Sequence, residues 1–170
     1  MSNKITLVLG GARSGKSRFA EKQAHVSGKE RLYLATSQIF DEEMKNRVDK
    51  HKSDRGSGWI TIEEPLDISD VLKKEAAPDR VILLDCLTLW VTNLMMAEQD
   101  FKLAFNELVQ TLPTLNGEVI LVSNEVGQGI IPDNKMAREF RDLAGWLHQD
   151  IAAIATEVYF VTAGLPQRLK

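Results

Sequence analysis

The sequence predicts an α/β domain in which a mostly parallel β-sheet carries helices on both faces. Short apolar segments with strand character alternate with helical patterns along the chain, a glycine-rich turn follows the first apolar segment, and a later one ends in an aspartate. Such alternation is typical of parallel sheets, because each crossover between parallel strands needs a connection long enough for a helix. No repeat, low-complexity tract or linker interrupts the pattern, so residues 1–170 are expected to form a single domain.

The first half of the chain predicts three strands and three helices. Residues 4–9, 31–35 and 59–63 are apolar or alternating segments that predict strands. Helices are expected over 16–26, from Asp41 into the early 50s, and over 67–75. The second of these begins with three acidic residues, which complement the positive end of a helix dipole. Ser53–Gly58 is rich in glycine and serine and is expected to be a loop.

The second half of the chain continues the alternation. Residues 81–84 are the most apolar strand candidate, and further strands are expected over 118–122 and 158–161. Helical patterns cover residues 87–98, 101–112 and 134–155. The glycine-containing segment 124–133 predicts a loop between the second of these strands and the last helix.

The composition excludes several classes of protein. With 44% hydrophobic and 26% charged residues, the chain has enough apolar surface to fold. Its 21 basic and 24 acidic residues give a net charge of −3, which argues against a nucleic-acid partner. Cys86 is the single cysteine, so no internal disulfide forms, which suits a cytoplasmic location. We expect neither a transmembrane helix nor a secretory signal, since every apolar run is too short.

The turn after the first strand is the strongest motif. It reads Gly10-Gly11-Ala12-Arg13-Ser14-Gly15-Lys16-Ser17 and matches the phosphate-binding loop pattern G-x-x-x-x-G-K-[ST]. The glycines let backbone N–H groups wrap a phosphate, the lysine reaches the β- and γ-phosphates, and the serine hydroxyl holds Mg²⁺. The motif lies between a predicted strand and a predicted helix, as this function requires. It predicts a P-loop NTPase-type three-layer domain that binds ATP or GTP.

Asp85 is the expected second ligand of the Mg²⁺ shell, beside Ser17. It follows four apolar residues, so its carboxylate lies at the carboxyl edge of the sheet, near the phosphate-binding loop. The alternative is an ordinary strand-end aspartate that caps the next helix.

His51 lies in a cluster of cations made by Arg47, Lys50, Lys52 and Arg55. Such neighbours favour the neutral, nucleophilic imidazole and also attract a phosphate. Attack by this histidine on the α-phosphate of a nucleotide would divide a difficult transfer into two easier ones. The alternative is a packing residue on an amphipathic helix, surrounded by solvated charges. His25 and His148 are expected to be structural.

Beyond these motifs, most of the chain resembles the bifunctional adenosylcobinamide kinase / adenosylcobinamide-phosphate guanylyltransferase family of cobalamin biosynthesis. The residues that carry the resemblance occur in order along nearly the whole chain: Gly10–Ser17, Ala35–Gln38, Arg47, His51–Lys52, Trp59, Leu84–Thr88, Val91–Leu94, Ser123–Ile130, Pro132, Asn134, Arg138, Phe140–Asp142, Gly145, Gly164 and Leu169–Lys170. The sequence departs from the family pattern at His148, where an asparagine is expected, and at Lys50, where some members carry a second histidine. Between Asn93 and Gly117 it is shorter than the longer family members.

The resemblance implies an enzyme with two reactions. The first phosphorylates adenosylcobinamide with ATP or GTP, and the second transfers GMP from GTP to adenosylcobinamide phosphate through a guanylyl-histidine. His51 matches the family's guanylylated histidine, and Lys16 of the P-loop is the other expected catalytic residue. Further residues match positions that contact GTP in the family: Thr36, Ser37, Gln38, Lys52, Ser53, Asp54, Arg55, Glu63 and Asp85. The resemblance also implies a homotrimer.

Two alternative functions remain open at this point. The chain lacks the Asn-Lys-x-Asp motif of a small GTPase. A P-loop kinase of another small molecule, in which His51 is inert, fits the phosphate-binding loop and Asp85 equally well. A non-enzymatic nucleotide switch fits them too. Covalent GMP on the protein distinguishes the bifunctional enzyme from both.

Overall fold

A computed structural model describes residues 3–39 and 41–170, and the side chains of Arg47 and His51 lie outside that description. Seven strands form one sheet: β1 (Lys4–Gly10), β2 (Glu30–Ala35), β3 (Trp59–Glu63), β4 (Arg80–Asp85), β5 (Glu118–Asn124), β6 (Glu157–Thr162) and β7 (Leu165–Arg168). Their order across the sheet is β3-β2-β4-β5-β1-β6-β7. The first six pair in parallel, and β7 runs antiparallel to β6.

Six α-helices connect the strands: α1 (Lys16–Val26), α2 (Glu42–Arg55), α3 (Ile68–Glu75), α4 (Leu87–Met96), α5 (Phe101–Thr111) and α6 (Lys135–Ile154). A short 3₁₀ turn, Leu112–Thr114, follows α5. No helix within the described ranges is long and apolar enough to cross a membrane.

The sheet has a separate apolar core on each face. Along β1, Leu7 and Leu9 join the larger core, which also contains side chains of α3, α4, α5 and α6. Val8 points to the smaller core, where Ala20 and Ala24 of α1 pack. Successive side chains of a strand point to opposite faces, so a strand buried on both faces is apolar throughout. The prediction of an α/β sheet with helices on both faces is confirmed.

Two local predictions differ from the structure. Ser53–Gly58 was expected to be a loop, but helix α2 continues to Arg55, and that prediction is wrong for its first three residues. The helix ends at Gly56, whose φ of +74° is in the left-handed region that favours glycine. Strand β7 was not predicted, because its four residues are exposed and include Pro166, which removes the strand pattern but is tolerated at a sheet edge.

Candidate nucleotide site

The phosphate-binding loop connects β1 to α1, as the motif predicts. Gly15, immediately before α1, has a φ of +93°, which a side chain would strain. Gly10 is also required, since a Cβ there would lie 2.5 Å from Ser14 Oγ and 2.7 Å from the carbonyl oxygen of Val161. Lys16 is 9% exposed, and its Nζ donates to the Gly11 carbonyl at 3.2 Å. The loop therefore holds a largely buried cation at the start of a helix, which suits an anion.

The turn between β6 and β7 supports this loop from the side away from β5. The Gly164 N–H donates to the Ser14 carbonyl at 2.7 Å. A Cβ at Gly15 would lie 3.0 Å from the Cα of Gly164, so the two backbones are in close contact. Ser14 Oγ is buried and has no hydrogen-bond partner among the described residues, which leaves a donor available to a ligand. Arg13 and Ala12 are exposed at the rim.

Asp85 ends β4, two strands away from the phosphate-binding loop. The pairing of Asp85 with Val122 and of Gly10 with Asn124 places β5 between them. Two strand spacings amount to about 10 Å. The hydroxyl of Tyr33 donates to Asp85 Oδ2 at 2.9 Å and thereby orients the carboxylate. Burial, together with the charge of Asp85, holds the pKa of Tyr33 far above its usual 10, so the hydroxyl keeps its proton.

Ser17 and Asp85 carry donor types that suit Mg²⁺. A hydroxyl and a carboxylate are the hard oxygen donors that Mg²⁺ prefers, and the ion is usually bound by one or two protein groups with the phosphates and water. The described residues contain no cluster of three or more histidine, cysteine, aspartate or glutamate side chains that would hold a metal. A site shared with a nucleotide does not need one.

Thr36 lies at the end of β2 and connects it to the turn after β4. Its Oγ1 donates to the Cys86 carbonyl at 2.8 Å and accepts from the Cys86 N–H at 2.9 Å. The Thr36 carbonyl accepts from Asn93 Nδ2 at 2.7 Å. Thr36 is fully buried, whereas the following Ser37 and Gln38 are half-buried. The structure thus gives the Thr36 hydroxyl a structural partner and leaves the next two residues partly accessible.

Helix α2 lies largely in solvent. Its N-cap Asp41 accepts from the Met44 N–H, and Met44 and Val48 are half-buried. Lys52 forms an ion pair with Glu63 at 3.1 Å, in which both side chains remain about half exposed. Ser53 and Asp54 are exposed.

The predicted nucleophile His51 belongs to this helix. Its position is four residues before Arg55, so the two positions share one helix face. The His51 side chain lies outside the described residues. The prediction that it acts as nucleophile stays a prediction.

Among the described side chains of α2, Arg55 is the buried one, at 8% exposure. Its guanidinium carbon lies 3.4 Å from the centroid of the Tyr33 ring, a cation–π contact. Burial raises the pKa of the nearby Glu21 on α1, and the charges of Asp85 and Asp54 raise it further, while Arg55 opposes them. Arg55 therefore lies among carboxylates at the carboxyl edge of the sheet.

Sequence reasoning missed two residues of this site. Tyr33 reads as an ordinary strand residue, and only the pairing of β2 with β4 places its hydroxyl at Asp85. Glu125 directly follows β5, and its N–H donates to the Gly10 carbonyl at 2.9 Å, beside the phosphate-binding loop. Its Oε1 accepts from the Gly127 N–H at 2.6 Å. Only the strand order, in which β5 lies between β1 and β4, shows that Glu125 belongs to this site.

The two remaining histidines have structural partners. His148 Nε2 lies 2.7 Å from Ser123 Oγ, and burial lowers the pKa of His148 to about 4, so it is neutral at pH 7. His25 on α1 contacts the ring of Trp59 and the guanidinium of Arg31 at the surface.

The fold and this site define a P-loop nucleoside-triphosphate-binding protein. Among solved structures, a type III secretion ATPase aligns with 98% of this chain and 57% of its own length at a TM-score of 0.56 and 10% identity. The flagellar accessory protein FlaH from Methanocaldococcus jannaschii aligns with 99% of this chain and 78% of its own, with a TM-score of 0.55 and 14% identity. These similarities concern the fold alone.

Sequence comparison identifies the family. Residues 6–169 match the family described as cobinamide kinase / cobinamide phosphate guanyltransferase, and the chain belongs to it. A Pseudomonas aeruginosa protein named bifunctional adenosylcobalamin biosynthesis protein CobP is 47% identical over 96% of both chains. Proteins named CobU from Salmonella typhimurium and Escherichia coli are 42% and 38% identical over 98% of this chain and 99% of their own.

Proposed function

We propose that this protein phosphorylates adenosylcobinamide with ATP or GTP and then converts the product to adenosylcobinamide-GDP with GTP. The observation that carries the proposal is the P-loop in a chain that matches the kinase and guanyltransferase family over residues 6–169. Both reactions act on a nucleoside triphosphate, and both need its phosphate charge to be positioned and neutralised.

In the kinase step, the substrate hydroxyl oxygen bonds to the γ-phosphorus while the bond from that phosphorus to the β–γ bridging oxygen breaks. Lys16 and the loop N–H groups stabilise the charge on the β- and γ-phosphates. Ser17 and Asp85 would hold Mg²⁺, which would supply further positive charge beside these phosphates. Glu125 accepts the hydroxyl proton, a role supported by its place beside Gly10 at the end of β5.

In the guanylyl step, an imidazole nitrogen of His51 bonds to the α-phosphorus of GTP and pyrophosphate leaves. A phosphate oxygen of adenosylcobinamide phosphate then bonds to the α-phosphorus, the phosphorus–nitrogen bond breaks, and His51 is restored. The P-loop stabilises the leaving pyrophosphate. The exposed helix α2 supports this role, because a segment with few packing contacts opens at low cost.

The sheet separates the groups assigned to these steps. Glu63 pairs with Ala35, and Ala35 pairs with Asp85, so the Lys52–Glu63 ion pair lies at the far edge of the sheet. Four strand spacings between β3 and β1 amount to about 19 Å. Ser37, Gln38, Arg55 and Asp85 lie between that edge and the P-loop. This arrangement supports a GTP that spans the carboxyl edge, with pyrophosphate in the loop and its nucleoside toward α2 and β3.

Product analysis tests the proposal. Purified protein is incubated with adenosylcobinamide and ATP, then with GTP, and the corrinoids are identified by mass. The proposal predicts adenosylcobinamide phosphate after ATP and adenosylcobinamide-GDP after GTP. ATP turnover with another alcohol and no corrinoid product would favour a kinase of a different small molecule. Nucleotide hydrolysis without any acceptor would favour a nucleotide switch.

We also propose a homotrimer in the cytoplasm. Ile130 and Ile131 in the loop after β5 and Met136 on α6 are exposed apolar side chains, which supports a contact between subunits. Light scattering is expected to give three times the chain mass, whereas the monomer mass would contradict the proposal. The cytoplasm supplies ATP and GTP and keeps Cys86 reduced.

A further inference from the structure

The pairing between β4 and β5 ends before β5 does. The last paired residues of the two strands are Asp85 and Val122, whereas β5 continues and pairs with β1 as far as Asn124, opposite Gly10. The backbone ladder therefore connects the end of β5 to the phosphate-binding loop but not to the turn that follows Asp85. A side chain makes the contact across this gap.

Thr88, the second residue of α4, makes this contact with its hydroxyl. Thr88 Oγ1 accepts from Asn124 Nδ2 at 3.1 Å and from the Asn124 N–H at 3.4 Å, and it lies 3.2 Å from Cys86 Sγ. Because the two amide donors occupy both lone pairs of the oxygen, its proton is directed at the sulfur. Thr88 is 4% exposed, and burial raises the pKa of the Cys86 thiol to about 11, so the thiol stays neutral. A buried hydroxyl thus joins the end of β5 to the turn after Asp85.

The turn after Asp85 is itself attached to β2. The Thr36 hydroxyl binds both the N–H and the carbonyl of Cys86, and the Thr36 N–H donates to the Asp85 carbonyl at 3.2 Å. On the other side of the site, the backbone N–H that follows β5 donates to the first carbonyl of the phosphate-binding loop at 2.9 Å. Hydrogen bonds therefore cross the carboxyl edge from β2 to this loop, and Thr88 is the link in the middle.

We propose that Thr88 is a positioning residue that sets the separation between Asp85 and the phosphate-binding loop. The inference rests on the proposed function, in which Asp85 and Ser17 act on the same Mg²⁺–nucleotide complex. Asp85 ends β4 and Ser17 follows β1, so their separation depends on how β5 is held on both of its sides. Mg²⁺ requires near-ideal octahedral geometry, and a displacement of about 1 Å at a reacting site can reduce the rate on the order of 10²-fold.

Two substitutions isolate the hydroxyl of Thr88. Thr88→Val replaces it with a methyl group of similar size, and Thr88→Ser retains it. Thr92→Val is the matched control on the same helix, because the Thr92 hydroxyl donates to the Thr88 carbonyl at 3.2 Å, one turn further along α4. Among the hydrogen bonds of the described residues, none joins the Thr92 side chain to Asn124 or to Cys86.

Nucleotide binding and turnover are measured on each full-length variant. Calorimetry gives the dissociation constant of the β,γ-imido analogue of ATP in EDTA and at saturating Mg²⁺, and the ratio of the two constants is the Mg²⁺ enhancement of binding. The kcat and KM of adenosylcobinamide phosphorylation are measured at saturating Mg²⁺. The affinity in EDTA reports the phosphate-binding loop without the metal, so it distinguishes a positioning role from a general loss of structure.

We expect Thr88→Val to lose about tenfold or more of both the Mg²⁺ enhancement and kcat, with its affinity in EDTA and its KM for adenosylcobinamide within about threefold of wild type. Thr88→Ser and Thr92→Val should stay within about threefold of wild type in every measurement. An unchanged Mg²⁺ enhancement in Thr88→Val would overturn the inference, and so would an equal loss of affinity in EDTA. If the wild type shows the Mg²⁺ enhancement but does not phosphorylate adenosylcobinamide, the proposed function fails, and the binding constants still decide the role of Thr88.

Discussion

The buried His148–Ser123 pair predicts a specific loss of stability in mild acid. His148 is 9% exposed, Ser123 is fully buried, and His148 Nε2 lies 2.7 Å from Ser123 Oγ. Burial lowers the pKa of His148 from 6.5 to about 4. The unfolded chain therefore binds a proton between pH 6.5 and 4 that the native protein does not bind. The free energy of unfolding must fall as the pH decreases through this window.

The size of the effect follows from the two pKa values. Between pH 7.5 and pH 5, a histidine whose pKa changes from 6.5 unfolded to about 4 native costs about 2 kcal/mol of stability. The raised pKa of Glu21 acts in the opposite direction, because the native protein then holds a proton more readily than the unfolded chain does. The comparison with a His148 variant cancels that contribution.

Urea unfolding of wild type and His148→Asn at pH 7.5 and pH 5 measures the effect. The asparagine does not titrate, so the wild type should lose about 2 kcal/mol more than the variant between the two pH values. Ser123→Ala keeps the imidazole buried and should retain the pH dependence. An equal loss in wild type and His148→Asn would refute the reasoning, since it would mean that His148 titrates alike in native and unfolded protein.

Three further predictions concern the nucleotide site. Lys16→Ala should reduce both activities by on the order of 10²-fold, because it removes the cation on the β- and γ-phosphates, and unchanged kinase turnover would contradict the P-loop assignment. Asp85→Asn should raise the Mg²⁺ concentration needed for half-maximal activity with the circular dichroism spectrum unchanged, whereas an unchanged Mg²⁺ titration would exclude Asp85 from the Mg²⁺ shell. Gly15→Ala should lower stability by about 1–2 kcal/mol, because φ is +93° and the new Cβ would lie 3.0 Å from Gly164 Cα, and an unchanged melting temperature would argue against that geometry.

The sequence is most informative where a residue's role depends on its near neighbours. Gly10, Gly15 and Lys16 belong to a local motif, and the structure places them where β1 ends and α1 begins, as predicted. The apolar run before Asp85 predicts a strand that ends at this residue, which is also a local property, and Asp85 is the last residue of β4.

Contacts between distant segments were not predictable in the same way. Tyr33 reaches Asp85 only because β2 pairs with β4, and Glu125 lies beside Gly10 only because β5 lies between β1 and β4. The hydrophobic periodicity of the sequence does not specify the order of the strands in the sheet. The extension of α2 to Arg55 was missed because serine and glycine nearby favour a loop, whereas the stacking of Arg55 on Tyr33 accompanies the last helical turn.

The labelling of His51 tests the central claim most directly. Wild type, His51→Ala and the surface control His25→Ala are incubated with α-labelled GTP, and kinase turnover on adenosylcobinamide is measured on the same samples. We predict acid-labile, base-stable label on wild type and His25→Ala, and none on His51→Ala, which keeps most of its kinase turnover because phosphoryl transfer needs no protein nucleophile. Label on His51→Ala, or equal loss of both activities in a folded variant, would contradict the account.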